Sequence, residues 1–517
     1  MSSNLATPTT TYIEKPALRR LFFVRVIIAA ARDLQGIDMN QNEIAAGFAA
    51  VATRMHDIGL PALAIRTFEH YYKALARGST GLLPESQISP AADVPRLVDL
   101  PADINTNDAL GRTVVIKLNG GLGTSMGLNQ AKSLLPAREG VSFLELIARQ
   151  ILHLRASTGH AVPLLLMNSF NTEADSLALL AKLPELATGQ GDVPLSFLQH
   201  RVPRLLEDSL MPVSWPEAPE REWCPPGHGD LYTALMTTGL LDRLLARGYR
   251  WAFVSNADNL GASLEPAILD LMARESIPFL MEVTRRTAAD RKGGHVARDH
   301  NGQLILRESA QCPAEDQAAF QNIHRHRYFN TNNLWLDLQA LKDLMSARNG
   351  VLGLPLIKNR KHVVPDDKTT PAVIQIETAM GAAISAFPGA RILEVPRTRF
   401  APVKTTSDLL VLWSDRYQVD AAGLVQPTTQ TPLTVDLDPE HYGSIDKFQA
   451  RFPSGAPSLI EAHEFSVRGD VVFDEHITIR GKVHLRRPPG HQHRITSGTV
   501  LSDSDEQAEP KQPQPKN

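Results

Sequence analysis

"LNGGLGTSMGLNQAKS", residues 118–133, leaves a short apolar run at 114–118 and sets four glycines in its first ten positions before a lysine. A glycine-dense loop at a strand end lets backbone N–H groups approach phosphate oxygens with no Cβ in the way. Lys132 then adds a compact positive charge suited to polyphosphate. Two familiar loops of this kind do not fit. A dinucleotide fingerprint needs G-x-G-x-x-G; counted from Gly121, Met126 stands where the third glycine belongs and Gly127 comes one place late. A Walker A loop needs glycine immediately before Lys-Ser, and here Ala131 precedes Lys132 and Ser133. The stretch reads as a phosphate cradle of another kind; the alternative is a tight glycine-rich turn without a ligand.

Outward from this loop the texture is α/β. Residues 114–118 predict a strand. Ser142 and Glu145 form a capping-box pattern opening a helix, with Phe143, Ile147, Ile151 and Leu154 on one face. Further strands are predicted at 162–167, 251–255, 279–283 and 391–395. Strands alternating with helical patterns argue a mostly parallel sheet with helices on both faces. Upstream, helical patterns run over 17–34 and 43–76, and the Pro-, Asp- and Asn-rich passage 84–108 reads as connection. Near the end, Phe465, Val471, Ile477 and Val483 recur every six residues, as do Val467, Phe473, Ile479 and Leu485. That period matches the coils of a β-helix; the alternative is one or two ordinary alternating strands. Beyond Ser502 the Pro-, Gln- and charge-rich composition predicts a disordered tail. The predicted domains are 1–108 (mostly helical), 109–405 (catalytic), 406–501 (C-terminal, with the β-helix) and 502–517 (tail).

A chain of 517 residues suggests two or three domains, and its 43% apolar and 21% charged residues are those of a globular protein. A formal charge of -3 gives no electrostatic case for a nucleic-acid partner. Two cysteines, Cys224 and Cys312, make neither a disulfide framework nor by themselves a four-ligand zinc site. They read as reduced residues of a cytoplasmic enzyme. Residues 15–31 imitate a signal peptide, but Arg25 interrupts the apolar run, and Leu21, Val24, Ile28 and Ala31 fall at helical spacing. No stretch is long enough to span a bilayer, so no membrane partner is expected.

Two further stretches carry chemistry. Ser255-Asn256-Ala257-Asp258-Asn259 follows a predicted strand, and open α/β sheets bind ligands outside the carboxyl ends of their strands. Asp258 is therefore a candidate to hold Mg²⁺ on phosphates; alone, it could equally cap a turn. Lys404 is a loop lysine after the strand at 391–395, a type that is ordinarily just solvated. Two lysines, a carboxylate and a glycine cradle without an obvious nucleophile suggest positioning and charge neutralisation, as phosphoryl chemistry requires.

A collinear series of blocks goes further. It comprises "KLNGGLGTSMG" with Lys132-Ser133, "NSFNT" (168–172), "PPGHGDLYTAL" (225–235), "VSNADNLGA" (254–262), "MEVTRRTAADRKGGH" (281–295), "RESAQCP" (307–313), "FNTNNLW" (329–335), "QIETAMGAAI" (375–384) and "VPRTRFAPVKTTSDLL" (395–410). With "PSLIEAHEFSVRGDVVF" (457–473), the chain resembles the eukaryotic, trypanosomatid-like UTP–glucose-1-phosphate uridylyltransferases, or UDP-glucose pyrophosphorylases. The resemblance implies a Rossmann-like, GT-A-like nucleotidyltransferase core with a mixed central sheet, a helical N-terminal region and a C-terminal left-handed β-helix. It implies a reaction of UTP with α-D-glucose 1-phosphate, dependent on Mg²⁺, giving UDP-glucose and pyrophosphate.

It also implies roles. The backbone of Leu118, Asn119, Gly120 and Gly121 cradles UTP, and Lys132 contacts its phosphates. Gln199 reads uracil over Gly227. His228 binds the sugar phosphate, Asp258 the metal, with Asn256 facing both substrates. Lys404 bridges the reacting phosphates, and Glu308, Asn330 and Asn332 hold the glucose hydroxyls. Alone, His228 reads as structural, and Asn330 and Asn332 as turn formers. Leu128-Asn129-Gln130-Ala131 departs from the Cys-Lys-Gly-Pro common in the family. Alternative functions are a broad-range UDP-sugar or UDP-N-acetylhexosamine pyrophosphorylase and a catalytically inactive nucleotide-sugar sensor. Self-association through the C-terminal domain is a further expectation.

Overall fold

The strand that feeds the glycine loop, β2 (Thr113–Asn119), is apolar on both faces because both are covered. Val115 packs with Leu164, Leu166 and Phe253, while Val114 and Ile116 pack with Leu165, Met167 and Val254. That is the pattern of a strand inside a parallel sheet. The protein is described by a computed structural model over residues 40–101, 107–128, 130–138, 140–365 and 367–503. The helix expected at 17–34 and nearly all of the expected tail lie outside these residues.

Around β2 the described residues form a ten-stranded sheet. It also contains β1 (Ile88–Pro90), β3 (Leu164–Asn168), β4 (Ser196–Leu198), β5 (Trp251–Asn256), β6 (Phe279–Arg285), β7 (His295–Asp299), β8 (Leu304–Arg307), β9 (Tyr328–Asp337) and β10 (Arg391–Glu394). Strands β4, β3, β2 and β5 lie side by side and parallel, as do β6 and β10. Between these two parallel sets runs β9, antiparallel to both β5 and β6. The sheet is therefore mixed, not the mostly parallel one that strand–helix alternation alone argues. Periodicity missed β9 because its first half, Tyr-Phe-Asn-Thr-Asn-Asn, is polar yet sits largely buried. Helices α3 (Phe143–Thr158) and α6 (Pro266–Glu275) cover one face, and α4 (Leu231–Thr237), α5 (Leu240–Ala246) and α7 (Leu338–Ala347) the other. The Ser142–Glu145 capping box opens α3 as read from sequence.

Two other expectations need correction. The single helical pattern at 43–76 is two helices, α1 (Gln41–Asp57) and α2 (Ala62–Ala76). They are parted by Gly59, at φ 73°, and Pro61, which opens the next helix. The connection at 84–108 is not free of structure, since β1 within it pairs with β7 in the register Ile88↔Asp299.

After α8 (Thr406–Trp413) and an antiparallel hairpin (Tyr417–Val419 with Val425–Pro427), the chain builds small sheets in which strands of successive passes pair in parallel. Strand β11 (Thr434–Leu437) pairs with β12 (Ala462–Arg468), and β12 with β15 (Gly481–Arg486). Likewise β13 (Val471–Phe473) pairs with β16 (His493–Ile495), and β14 (Thr478–Ile479) with β17 (Val500–Leu501). The six-residue pattern is the inward face: Phe465 stands beside Val483 and Val467 beside Leu485, and all four are buried. No helix among the described residues is long and apolar enough to cross a membrane.

Candidate active site

The carboxyl ends of β2, β3, β4 and β5 share one rim of the sheet, and the glycine loop springs from it. The loop doubles back on itself. Leu122 forms an antiparallel bridge with Ala131, Gly123 N–H donates to Gln130 O at 3.3 Å, and Lys132 N–H donates to Gly121 O at 3.1 Å. This reversal returns Lys132 to the strand end, where its ammonium meets Asp258 Oδ2 at 2.7 Å. Asp258 stands just past β5, and Ala257 N–H donates to Leu118 O at 3.0 Å, extending the β2–β5 pairing into the loop. The other carboxylate oxygen, Oδ1, is buried without a hydrogen-bond partner. Asn256 ends β5 opposite Leu118 and is half-buried. Asn119 is different: its side-chain nitrogen donates to Asn168 Oδ1 at 2.7 Å and Ser176 Oγ at 2.8 Å, so that donor is spent inside the fold.

A second group stands beside the loop. A Cβ on Gly120 would lie 2.6 Å from Gln199 Nε2, so the amide rests directly on that glycine. Gln199 N–H donates to Asn168 O at 2.8 Å, and the next residue is clamped to Asp230. His200 N–H donates to Asp230 Oδ2 at 2.6 Å, and its ring Nδ1 lies 2.9 Å from the same carboxylate. Gly227 has φ 80° and ψ 169°, a backbone essentially reserved for glycine. A Cβ there would lie 2.5 Å from Thr378 O. His228 Nδ1 accepts the Met380 N–H at 2.9 Å, which leaves the ring hydrogen on Nε2. Burial pulls the His228 pKa down to about 4, so the imidazole is neutral at pH 7.

The third group faces the β9 side. Val403 N–H donates to Asp258 O at 3.1 Å, which brings Lys404, an exposed side chain, next to the carboxylate loop. Burial pushes the Glu308 carboxyl upward, against the pull of the Lys404 charge and a hydrogen bond from Asn330, so these three are neighbours. Asn330 Nδ2 donates to Asn332 Oδ1 at 2.8 Å, and Asn332 N–H returns to Asn330 Oδ1 at 2.9 Å. Asn332 has φ 58° on β9, near the register shift between Met281 and Val283. An asparagine tolerates that backbone at a bulge, which re-aims side chains. The turn-former reading thus becomes a bulge within a strand.

All fourteen candidate residues therefore belong to the rim or its flanks, with Lys132–Asp258 the one direct side-chain ion pair among them. The residue-by-residue reading did not single out Thr378 and Met380, whose backbones bracket Gly227 and His228, or Asp230 and His200, which anchor Gln199. Gly294 was also missed; a Cβ there would lie 2.5 Å from Glu308 Oε2. All but His200 lie inside the quoted blocks, but backbone and clamp roles leave no chemical mark on residue type. Among the described residues no three His, Cys, Asp or Glu side chains gather as a metal site.

Comparison with known proteins gives the family. The family described as UTP--glucose-1-phosphate uridylyltransferase matches residues 65–480. The chain is similar to the UTP--glucose-1-phosphate uridylyltransferase of Saccharomyces cerevisiae, 41% identical over 396 residues covering 76% of this chain and 78% of that one. It is similar to that of Solanum tuberosum, 39% identical over 82% of this chain and 85% of the relative. Among solved structures it is similar to a UDP-glucose phosphorylase of Trypanosoma brucei, with TM-score 0.83, 44% identity, and coverage of 89% and 98% of the two chains. A UDP-glucose pyrophosphorylase variant of Leishmania major, solved in complex with UDP-glucose, gives TM-score 0.84 at 41% identity, over 89% of this chain and 98% of that one.

Proposed function

The chain belongs to the UTP–glucose-1-phosphate uridylyltransferase family, and from that premise we propose how its residues join UTP to α-D-glucose 1-phosphate, giving UDP-glucose and pyrophosphate. A phosphate oxygen of the sugar phosphate attacks the α-phosphorus of UTP in line, and pyrophosphate departs. That oxygen is already anionic near neutral pH, so the chain supplies alignment and charge rather than a general base. Gly120 and Gly121 offer backbone N–H groups to the UTP phosphates, and Gln199 reads the uracil edge with one donor and one acceptor above Gly227. Lys132 neutralises charge on the triphosphate, and Lys404 bridges the reacting phosphates. Neutral His228 donates its Nε2–H to the sugar phosphate. Glu308, Asn330 and Asn332 accept and donate to glucose hydroxyls, and Asn256 faces both substrates.

Asp258 fits a divalent cation: Oδ1 is buried and unpartnered, and a single carboxylate with substrate phosphates completing the shell is how Mg²⁺ is usually held. Mg²⁺ bound there would supply further charge neutralisation on the phosphates. The observation that carries the proposal is the Lys132–Asp258 pair at 2.7 Å, assembled beside the glycine cradle on one sheet rim.

The same reading takes residues 1–108, 109–405, 406–501 and 502–517 as the working divisions, and a left-handed β-helix for the C-terminal strands, supported by their parallel pairing. It sets the enzyme in the cytoplasm, supported by two free, buried cysteines. It also allows self-association through β16 and β17, each paired on one side only among the described residues.

Pyrophosphate release, measured with UTP and a panel of sugar 1-phosphates with and without Mg²⁺, tests the reading. Release with glucose 1-phosphate, abolished by chelation, is expected. Preference for an N-acetylhexosamine 1-phosphate would move the assignment to the broad-range alternative, and no release with any sugar would leave the inactive sensor.

A further inference from the structure

Asp258 and Lys404 lie 146 positions apart in the chain, yet the reaction needs them in fixed register. What joins the two segments is Asn259, which is 1% exposed. Its Nδ2 donates to Arg399 O at 3.1 Å and to Asn333 Oδ1 at 3.2 Å, and its Oδ1 accepts the Ala401 N–H at 3.0 Å. Its backbone bridges Pro402. One residue to either side, Val403 N–H reaches Asp258 O. Below, Asn333 Nδ2 donates to Glu282 Oε2 at 3.0 Å, and Arg399 grips the same fully buried carboxylate at 2.8 and 2.6 Å. Trp335 Nε1 gives it a fourth donor at 2.9 Å. The near edge is held as well, because Lys117 Nζ donates to Ser255 Oγ and Ala262 O, both at 2.7 Å.

We propose that Asn259 is a positioning residue: its amide locks the Asp258 loop to the segment carrying Lys404, so that carboxylate and lysine act on the phosphates as a unit. This rests on the active-site reading above. The amide suits the task because one side chain both donates to and accepts from the opposite backbone, and the buried Glu282–Arg399 pair beneath it leaves that backbone little freedom to follow a shifted loop.

The test is steady-state kinetics of Asn259→Ala, Asn259→Asp and Asn259→Ser, in the parent and in a Lys404→Ala background. In the parent, Asn259→Ala lowers kcat by about 30- to 100-fold, the scale of a reacting group displaced by about an ångström. KM for UTP stays within about threefold, since Gly120, Gln199 and Gly227 are untouched. Asn259→Asp keeps the acceptor for Ala401 but sets a carboxylate oxygen against Arg399 O and Asn333 Oδ1, so its kcat falls at least as far. Asn259→Ser decides the matter if the alanine variant does not fold. Where Lys404 is already absent, each substitution costs no more than about threefold, because coupled residues are non-additive. An equal factor in both backgrounds, or a kcat within twofold of the parent, overturns the inference while leaving the reaction standing. A parent that forms no UDP-glucose overturns both.

Discussion

Replacing Gly121 by alanine separates a structural glycine from a ligand-binding one. A Cβ built on Gly121 meets no atom within 4 Å, and its φ lies outside the left-handed region. The residue is exposed, and its carbonyl, which accepts the Lys132 N–H, survives the substitution. The free protein therefore accommodates the methyl without strain. Removing a glycine from a compatible position narrows the unfolded ensemble and stabilises by ~0.4–1 kcal/mol, so the thermal midpoint holds or rises slightly. Phosphate oxygens drawn to the backbone of Gly120 and Gly121 would meet that methyl. Forcing an extra carbon into a well-packed contact costs ~1–3 kcal/mol, a loss of about 5- to 150-fold in UTP affinity at ~1.4 kcal/mol per decade. Calorimetric titration with UTP, paired with a melting curve of the free variant, reads both quantities. An unchanged melt with UTP affinity within twofold of the parent would falsify the cradle, because nothing but the ligand is there for the methyl to disturb.

Lys404→Ala should lower turnover by about 10²- to 10³-fold, the scale of a lost charge-stabilising donor, with an unaltered melt because the side chain is exposed; near-normal turnover removes Lys404 from the chemistry. Gly120→Ala should act on base choice, since its Cβ would press on Gln199 Nε2 from 2.6 Å and push a flexible amide aside. UTP loses more kcat/KM than CTP does, and equal losses would show that Gln199 does not read the base. For His228 the sign follows from its depressed pKa. The folded ring protonates near pH 4 and the unfolded one near 6.5, so the unfolded chain holds more protons between those values and stability falls as pH drops through that window. His228→Asn, whose amide oxygen can take the Met380 N–H, removes this contribution, so the variant gains on the parent as pH falls from 7 to 4.5. Urea midpoints that differ by a constant across that range contradict the burial.

The sequence was legible wherever a residue's own chemistry or period set its place. Strand β2, the capping box of α3 and the inward hexads of the C-terminal strands follow from apolar spacing and one N-cap, and the rim geometry puts Asp258 where the strand-end rule for α/β sheets expects it. Illegibility began where burial is achieved against residue type. Strand β9 buries Asn330, Thr331 and Asn333 because their side chains find partners in Asn332, Glu282 and the segment at Arg399. Polar satisfaction of that kind depends on residues far away in sequence, so no local pattern reports it. Likewise the helix break at Gly59 and Pro61 was written in the sequence, but the amphipathic pattern on either side hid it.

Gly127, the glycine that arrives one place late, shows why the loop matches no standard motif. In the dinucleotide loop the third glycine serves helix–strand packing close to the pyrophosphate. Here no helix begins after the glycines; residues Thr124–Met126 make one 3₁₀ turn, and Gly127 ends it at φ 74°. A Cβ on Gly127 would lie 2.8 Å from Ser444 Cβ, while Met126 is fully buried in the same core as Tyr442, Ile445 and Phe448. The tip of the glycine loop is thus docked on the C-terminal region, and its base is closed by the Leu122–Ala131 bridge and the bond from Lys132 to Gly121. The glycines divide the work between them: Gly121 faces open space, Gly120 leaves room for the Gln199 amide, and Gly127 leaves room for Ser444. A loop pinned at both ends holds Lys132, at the start of the 3₁₀ turn Lys132–Leu134, against Asp258 without an α-helix to carry it. The lysine's position is then set by how the chain folds back, so its count from the glycines need not match that of a loop that opens a helix.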